Sequence, residues 1–218
     1  MNLNNFTFNT TSGIRFGSGM SVSSSQEICK ILGSNILFIT DKDLMSLKLT
    51  EPTLNELKKF SSKVEIFEDV EADPSLKTLL NSIEIGKKMK ATGVIGFGGG
   101  SSMDVAKLTS LILGSDENIE EVWGVSNAKG PRLPLVLVPT TAGTGSEVTP
   151  ISIITVGEEE KKGVSSPIIL PDVAILDPDL TIGLPAHTTA ATGIDAMVHA
   201  IEGYASANKN NNPISKML

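Results

Sequence analysis

The sequence predicts an α/β domain built on a mostly parallel sheet, and three observations predict it. Short apolar runs of strand length, Asn35 to Thr40, Gly93 to Phe97 and Leu133 to Val138, alternate with segments whose apolar residues recur at helical spacing. These runs are apolar at nearly every position, as strands are when helices cover both faces of their sheet. One of them enters a glycine-rich loop, Gly98-Gly99-Gly100-Ser101, beyond which a helical pattern begins at once.

The elements follow in order. Phe6 and Phe8 alternate with polar residues like an opening strand, with Gly13 and Gly17 marking turns. Ser23 to Leu32 reads as a helix ended by Gly33, and Asn35 to Thr40 as a buried strand with Asp41 just past its carboxyl end. Leu54 to Phe60 is helical and Lys63 to Phe67 alternates like a strand. Asp73-Pro74-Ser75 opens a helix to about Thr92, in which Leu76, Leu79, Leu80 and Ile83 share a face. After the strand Gly93 to Phe97 and its glycine loop comes a helix from Ser102 to about Leu113. Leu133 to Val138 is a further strand, cut by Pro139. Thr149 to Ser166 reads as two strands around a charged tip, Glu158 to Lys162, and Val173 to Leu176 as a last short strand. After Pro185 the pattern turns helical through about Tyr204, followed by a polar turn at Asn208 to Asn212 and the segment Pro213-Ile214-Ser215.

Composition bounds the function. The chain has 218 residues, enough for a sizeable core, and a net charge of -7, the wrong sign for a partner held by phosphate neutralisation. Nucleic acid is therefore not expected. Cys29 is the single cysteine, so an internal disulfide and a Cys-based metal site are both excluded. Met1 to Thr10 has neither the basic nor the apolar part of a signal peptide, and no apolar run reaches the roughly 18 residues of a membrane helix. A cytoplasmic protein with no membrane contact is expected. The sequons at Asn5 and Asn9 matter only in a secreted chain.

Strand, glycine loop and helix together make a place for phosphate. Glycines let a ligand approach the backbone, and the first amides of the helix carry unpaired N–H groups at its positive end. The GxxxxGK[S/T] spacing of a P-loop is absent, and so is GxGxxG. A tight turn capped by Ser101 or Ser102, helped by Asp104, accounts for the same residues without a ligand.

Three further segments carry more information: Pro139-Thr140-Thr141-Ala142-Gly143-Thr144-Gly145-Ser146-Glu147-Val148-Thr149; Lys161 to Asp177, with Ser165-Ser166-Pro167 and Pro171-Asp172-Val173-Ala174; and Gly193-Ile194-Asp195-Ala196-Met197-Val198-His199-Ala200-Ile201-Glu202-Gly203-Tyr204. Together with Gly98-Gly99-Gly100-Ser101-x-x-Asp104, in this order and spacing, the chain resembles the iron-containing (group III) alcohol dehydrogenases along essentially its whole length. The resemblance implies a Rossmann-like NAD-binding domain over 1–183, followed over 184–218 by the first helical segment of an all-α metal-binding domain, and so a C-terminally truncated member. It implies that Gly98, Gly99, Gly100 and Ser101 face the pyrophosphate of NAD. Thr140, Thr141 and Thr144 would line the path to the nicotinamide, and Lys161 would reach the nicotinamide ribose. From the residues alone, the threonines read equally as turn chemistry after Pro139 and Lys161 as a solvated hairpin tip.

Asp41 has two readings. A carboxylate past the end of a nucleotide-domain strand accepts hydrogen bonds from the adenosine ribose and repels a 2′-phosphate, by roughly 4 kcal/mol for like charges about 4 Å apart at a surface-like dielectric. This gives NAD over NADP. Alternatively, Asp41 is a helix N-cap or loop residue.

Asp195 and His199 are four residues apart, one above the other on a helix, so one metal can meet both. A carboxylate with an imidazole suits Fe(II) or Zn(II). The resemblance makes them metal ligands, but the family's site takes two further histidines from later helices. This chain has only His187 besides His199, and His187 reads as a loop or cap residue. A third donor from Glu202 is disfavoured, and about three protein ligands are usual for a catalytic metal. Ile194, Met197, Val198 and Ile201 on the same helix would leave an apolar face uncovered, as in a fragment or in a homo-oligomer that covers it.

The expected activity is metal-dependent hydride transfer between NAD and a small or primary alcohol or aldehyde. The alternatives are a catalytically inactive NAD-binding fragment and a glycerol-dehydrogenase-like or dehydroquinate-synthase-like enzyme on the same scaffold. A purely structural or interaction protein has only the uncovered helix face in its favour.

Overall fold

The computed structural model of the chain describes residues 8–205. Phe6, the Asn5 sequon, the Asn208 to Asn212 turn and Pro213-Ile214-Ser215 lie outside the described residues. In chain order the elements are β1 (Gly13–Phe16), α1 (Met20–Ser23), α2 (Ser25–Leu32), β2 (Asn35–Ile39), α3 (Lys42–Ser46), α4 (Glu51–Phe60), β3 (Lys63–Phe67), α5 (Leu76–Met89), β4 (Gly93–Gly98), α6 (Gly100–Ser115), α7 (Ile119–Val122), β5 (Gly124–Val125) and β6 (Leu135–Pro139). Then follow β7 (Ile151–Val156), β8 (Glu160–Ser165), β9 (Val173–Leu176), α8 (Asp179–Ile182) and α9 (Ala186–Ala205).

Six strands form one sheet in the order β3-β2-β4-β6-β9-β1, with every neighbouring pair parallel. The chain runs from β2 outward to β3, then returns to place β4, β6 and β9 on the other side of β2. That reversal makes a crevice at the carboxyl ends of β2 and β4, the position where open α/β sheets receive ligands. A smaller sheet, β5-β8-β7, stands beside it, with β7 and β8 as an antiparallel hairpin.

Both faces of the main sheet are covered, which explains strands without polar alternation. Leu37, Ile39, Val94 and Leu137 pack with Leu79 and Ile83 of α5 and Met103, Ala106 and Leu111 of α6. On the other face Ile36, Phe38, Ile95 and Phe97 pack with Ile28 and Leu32 of α2 and Leu54 and Leu57 of α4. Phe38 and Phe97 stack across neighbouring strands, their ring centroids 5.4 Å apart. α6 lies so close to the sheet that a Cβ on Gly96 would stand 2.7 Å from the Ala106 methyl. Only glycine fits there.

Two local readings are corrected. The first strand is Gly13–Phe16, and Phe8 lies in irregular chain and is exposed. Gly13 opens the strand because it pairs in parallel with Val173, a partner 160 residues away that no local pattern announces. His187 is not in a loop but in the first turn of α9. As expected, Ile194, Met197, Val198 and Ile201 on α9 are exposed, and Tyr204 with them.

Candidate functional site

β4 ends in Gly98, whose φ of 154° is open to glycine and strained for other residues; a Cβ there would also meet Ser102 Oγ at 2.6 Å. Gly99 is the N-cap residue of α6, and no side chain caps this helix. The alternative cap by Ser101 or Ser102 is not made, and Asp104 bonds to Ser146 and Ile153 instead. The first amides of α6 therefore have no side-chain acceptor and are aimed at the crevice mouth.

Opposite the glycines stands the loop that follows β6. The Thr140 amide donates to the Gly98 carbonyl at 3.0 Å, which ties the ends of β4 and β6 together. A Cβ placed on Gly99 would lie 3.7 Å from Thr141 Oγ1, and one on Gly100 would lie 3.1 Å from the Thr144 methyl. The two loops thus form facing walls. Thr141 Oγ1 is buried and has no hydrogen-bond partner in the protein. Such a hydroxyl, of which the described residues hold others at Ser25, Thr40 and Thr53, can be satisfied by a ligand oxygen. Thr144 Oγ1 accepts from the Ser146 amide at 3.2 Å.

The same loop reaches α9. A Cβ on Gly143 would collide with the Thr192 carbonyl at 2.5 Å, so the loop and the helix touch backbone to backbone. One turn beyond Thr192 is Asp195, whose Oδ1 lies 3.5 Å from His199 Nε2. The glycine loop, the threonine loop and the Asp195–His199 pair are therefore in continuous contact, although nearly 100 residues separate Gly98 from Asp195.

Asp41 is the N-cap of α3: its Oδ1 accepts from the Leu44 amide at 2.9 Å. It stands at the carboxyl end of β2, across the crevice from Gly98. Burial pushes its carboxyl above the ordinary value, against the lowering pull of the Leu44 amide. The cap and the ribose readings are compatible, because a cap engages one carboxylate oxygen. Lys161 lies on β8 opposite Thr155, and its ammonium pairs with Asp73 after the end of β3.

One cluster escaped the sequence reading. Lys107 on α6 is completely buried and donates to Ser146 Oγ at 2.8 Å and to the Ile151 carbonyl at 2.7 Å. Ser146 Oγ in turn donates to Asp104 Oδ1 at 2.8 Å. The signal was present: Met103, Val105, Ala106, Leu108 and Leu111 surround this lysine on a helix buried on all sides, so its side chain has no route to water.

The residues fit a dinucleotide. Unpaired helix amides, a partnerless buried hydroxyl and side-chain-free space at Gly99 suit a pyrophosphate. They supply only part of a metal site. Asp195 and His199 are two donors, and among the described residues no group of three or more His, Cys, Asp or Glu side chains is placed to hold an ion.

A parallel doubly wound sheet with a glycine turn at its reversal point is a Rossmann-like domain. Residues 11–178 match the family model described as iron-containing alcohol dehydrogenase, and the chain belongs to that family. It is 38% identical over 185 residues to long-chain-alcohol dehydrogenase 1 of Geobacillus thermodenitrificans, covering 84% of this chain and 47% of the relative. Among solved structures it is similar to an alcohol dehydrogenase from Oenococcus oeni, with a TM-score of 0.91 and 34% identity over 98% of this chain and 56% of that one. It is also similar to a sulfoacetaldehyde reductase from Bifidobacterium kashiwanohense in complex with NAD+, with a TM-score of 0.83 and 32% identity over 92% of this chain and 54% of that one. The chain spans about half the length of the relatives it matches.

Proposed function

We propose that this chain binds NAD in the crevice between β2 and β4, as the cofactor half of a dehydrogenase that moves hydride between NAD and a small alcohol or aldehyde. The uncapped start of α6 facing the partnerless Thr141 hydroxyl carries this reading. Gly98, Gly99, Gly100 and Ser101 face the pyrophosphate, which the first amides of α6 hold. Asp41 holds the adenosine ribose and turns away a 2′-phosphate while still capping α3. Thr140, Thr141 and Thr144 guide the nicotinamide toward α9. Lys161 leaves Asp73 to meet the nicotinamide ribose.

Residues 1–183 form the cofactor domain in this reading, and 184–218 begin the metal-binding domain. Asp195 and His199 contribute two of its ligands, to Fe(II) or Zn(II). The NAD complex of the similar sulfoacetaldehyde reductase supports the cofactor. The protein's contribution to hydride transfer is orientation, with nicotinamide and substrate held in contact at the junction of the threonine loop and α9. The exposed apolar face of α9 supports a homo-oligomer or a further packed segment. No helix among the described residues is long and apolar enough to cross a membrane, and the one cysteine is a buried free thiol, which supports a cytoplasmic location.

The two-donor arrangement on α9 favours a second reading, in which the 218-residue chain binds NAD without turnover. Anaerobic assay with added Fe(II), NAD and a primary alcohol, followed by NADH absorbance, separates the two. Turnover abolished by both Asp195→Ala and His199→Ala supports the first reading, and NAD binding without turnover supports the second.

A further inference from the structure

We propose that Lys107 is a positioning residue for the nicotinamide half of the cofactor site, acting through Ser146. The inference rests on the NAD reading above. α6 presents its amino end to the pyrophosphate, and Lys107 lies two turns further along it. From there the Lys107 ammonium donates to Ser146 and to the Ile151 carbonyl, while Asp104 receives the Ser146 hydroxyl and, on its other oxygen, the Ile153 amide at 2.9 Å. The Ser152 hydroxyl donates to the Asp104 carbonyl at 2.9 Å.

Every one of these bonds runs from α6 to the turn after the threonine loop or to β7. Ser146 is two residues beyond Thr144 and donates its own amide to the Thr144 hydroxyl. β7 carries β8, and with it Lys161. The network therefore fixes the threonine loop and the Lys161 hairpin relative to the helix that holds the phosphates.

A buried ammonium is a poor way to gain stability, since an apolar side chain of the same volume fills the space without desolvation. Burial lowers Lys107 to about 8 despite the opposing pull of Asp104 and Glu147, so it still carries its proton at neutral pH. Its two hydrogen bonds, to the turn at Ser146 and to β7 at Ile151, give what methionine cannot: a fixed loop register.

The test compares NAD+ with ADP, which lacks the nicotinamide ribose. Dissociation constants for both are measured by calorimetry on the 218-residue chain and on Lys107→Met and Ser146→Ala, alongside thermal midpoints. Both variants are expected to weaken NAD+ about tenfold and ADP by less than about threefold. Equal weakening of both ligands, or no weakening of either, overturns the proposal and leaves the NAD reading standing. A wild-type chain that binds neither overturns both. Should Lys107→Met fail to fold, Ser146→Ala removes one hydroxyl, leaves Lys107 bonded to the Ile151 carbonyl and decides the question alone.

Discussion

Gly99 and Thr141 face each other across the mouth of the crevice with room for a methyl group between them: a Cβ on Gly99 would sit 3.7 Å from the Thr141 hydroxyl, at ordinary contact distance. The fold thus tolerates alanine at Gly99, whereas a pyrophosphate seated against its backbone would meet the added methyl. Gly99→Ala should leave the thermal midpoint nearly unchanged while weakening NAD+ binding about tenfold or more, by calorimetry. Gly96→Ala is the converse. Its Cβ is driven into Ala106 and Leu137, and overpacking of this kind costs about 1–3 kcal/mol.

Asp41 combines a cap with a charge, and serine separates the two. Asp41→Ser keeps an oxygen for the Leu44 amide and removes the repulsion of a 2′-phosphate. NADP+ affinity is expected to rise about tenfold or more, with stability almost unchanged. Asp41→Ala should raise NADP+ affinity too, but lose about 1 kcal/mol with the cap. Unchanged NADP+ binding in both variants removes Asp41 from cofactor selection.

Lys107 gives a pH signature. Its folded-state value, about 8, lies below the ordinary 10.5. Below pH 8 both folded and unfolded chains hold the proton, and burial of the charge weighs against folding. Between about pH 8 and 10.5 the unfolded chain still holds it while the folded chain has released it, so this group's contribution to stability rises with pH. Urea denaturation at pH 7.5 and pH 10 should show wild type gaining on Lys107→Met by roughly 1–3 kcal/mol across that window. A constant difference contradicts the buried-ammonium account.

Asp177 tests the seam between the first and last strands. Its carboxylate is buried and accepts from the Gly19 amide at 3.1 Å, the Ser21 amide at 3.0 Å and the Ser21 hydroxyl at 2.6 Å. Burial pushes it up, yet these donors together hold it below the ordinary value. Asp177→Asn places an NH2 against the same donors and should cost about 2–3 kcal/mol at pH 7. A depressed carboxyl stabilises above its unfolded value and loses that contribution as pH falls through the folded one. The difference between variant and wild type should therefore shrink below about pH 4.

At Asp195 and His199 the expected metal affinity is weak. After incubation with Zn(II) and dialysis, elemental analysis should find less than one ion per chain, and none with either residue changed to alanine. One ion per chain retained through dialysis contradicts a two-donor site.

Much of this was legible in the sequence where local pattern and tertiary role coincide. Ile36 to Ile39 and Val94 to Phe97 carry no polar side chain because helices cover both their sides, and Gly98 to Ser101 mark the turn from strand into helix, though not that the helix lacks a cap. Residues whose partners are distant in sequence were illegible. Gly13 looked like a turn until Val173 paired with it, and Asp104 looked like a cap helper because Ser146 and Ile153 are more than 40 residues away. The contact of Gly143 with Thr192, which joins the threonine loop to the Asp195–His199 helix, has no local signature at all.

Whether the crevice at the ends of β2 and β4 is an NAD site is decided by titration calorimetry of the 218-residue chain with NAD+, before and after Gly99→Ala. Saturable binding at one site per chain, weakened about tenfold by a substitution that leaves the fold intact, is the predicted result. No binding to the folded wild-type chain, or binding indifferent to Gly99→Ala, would contradict it.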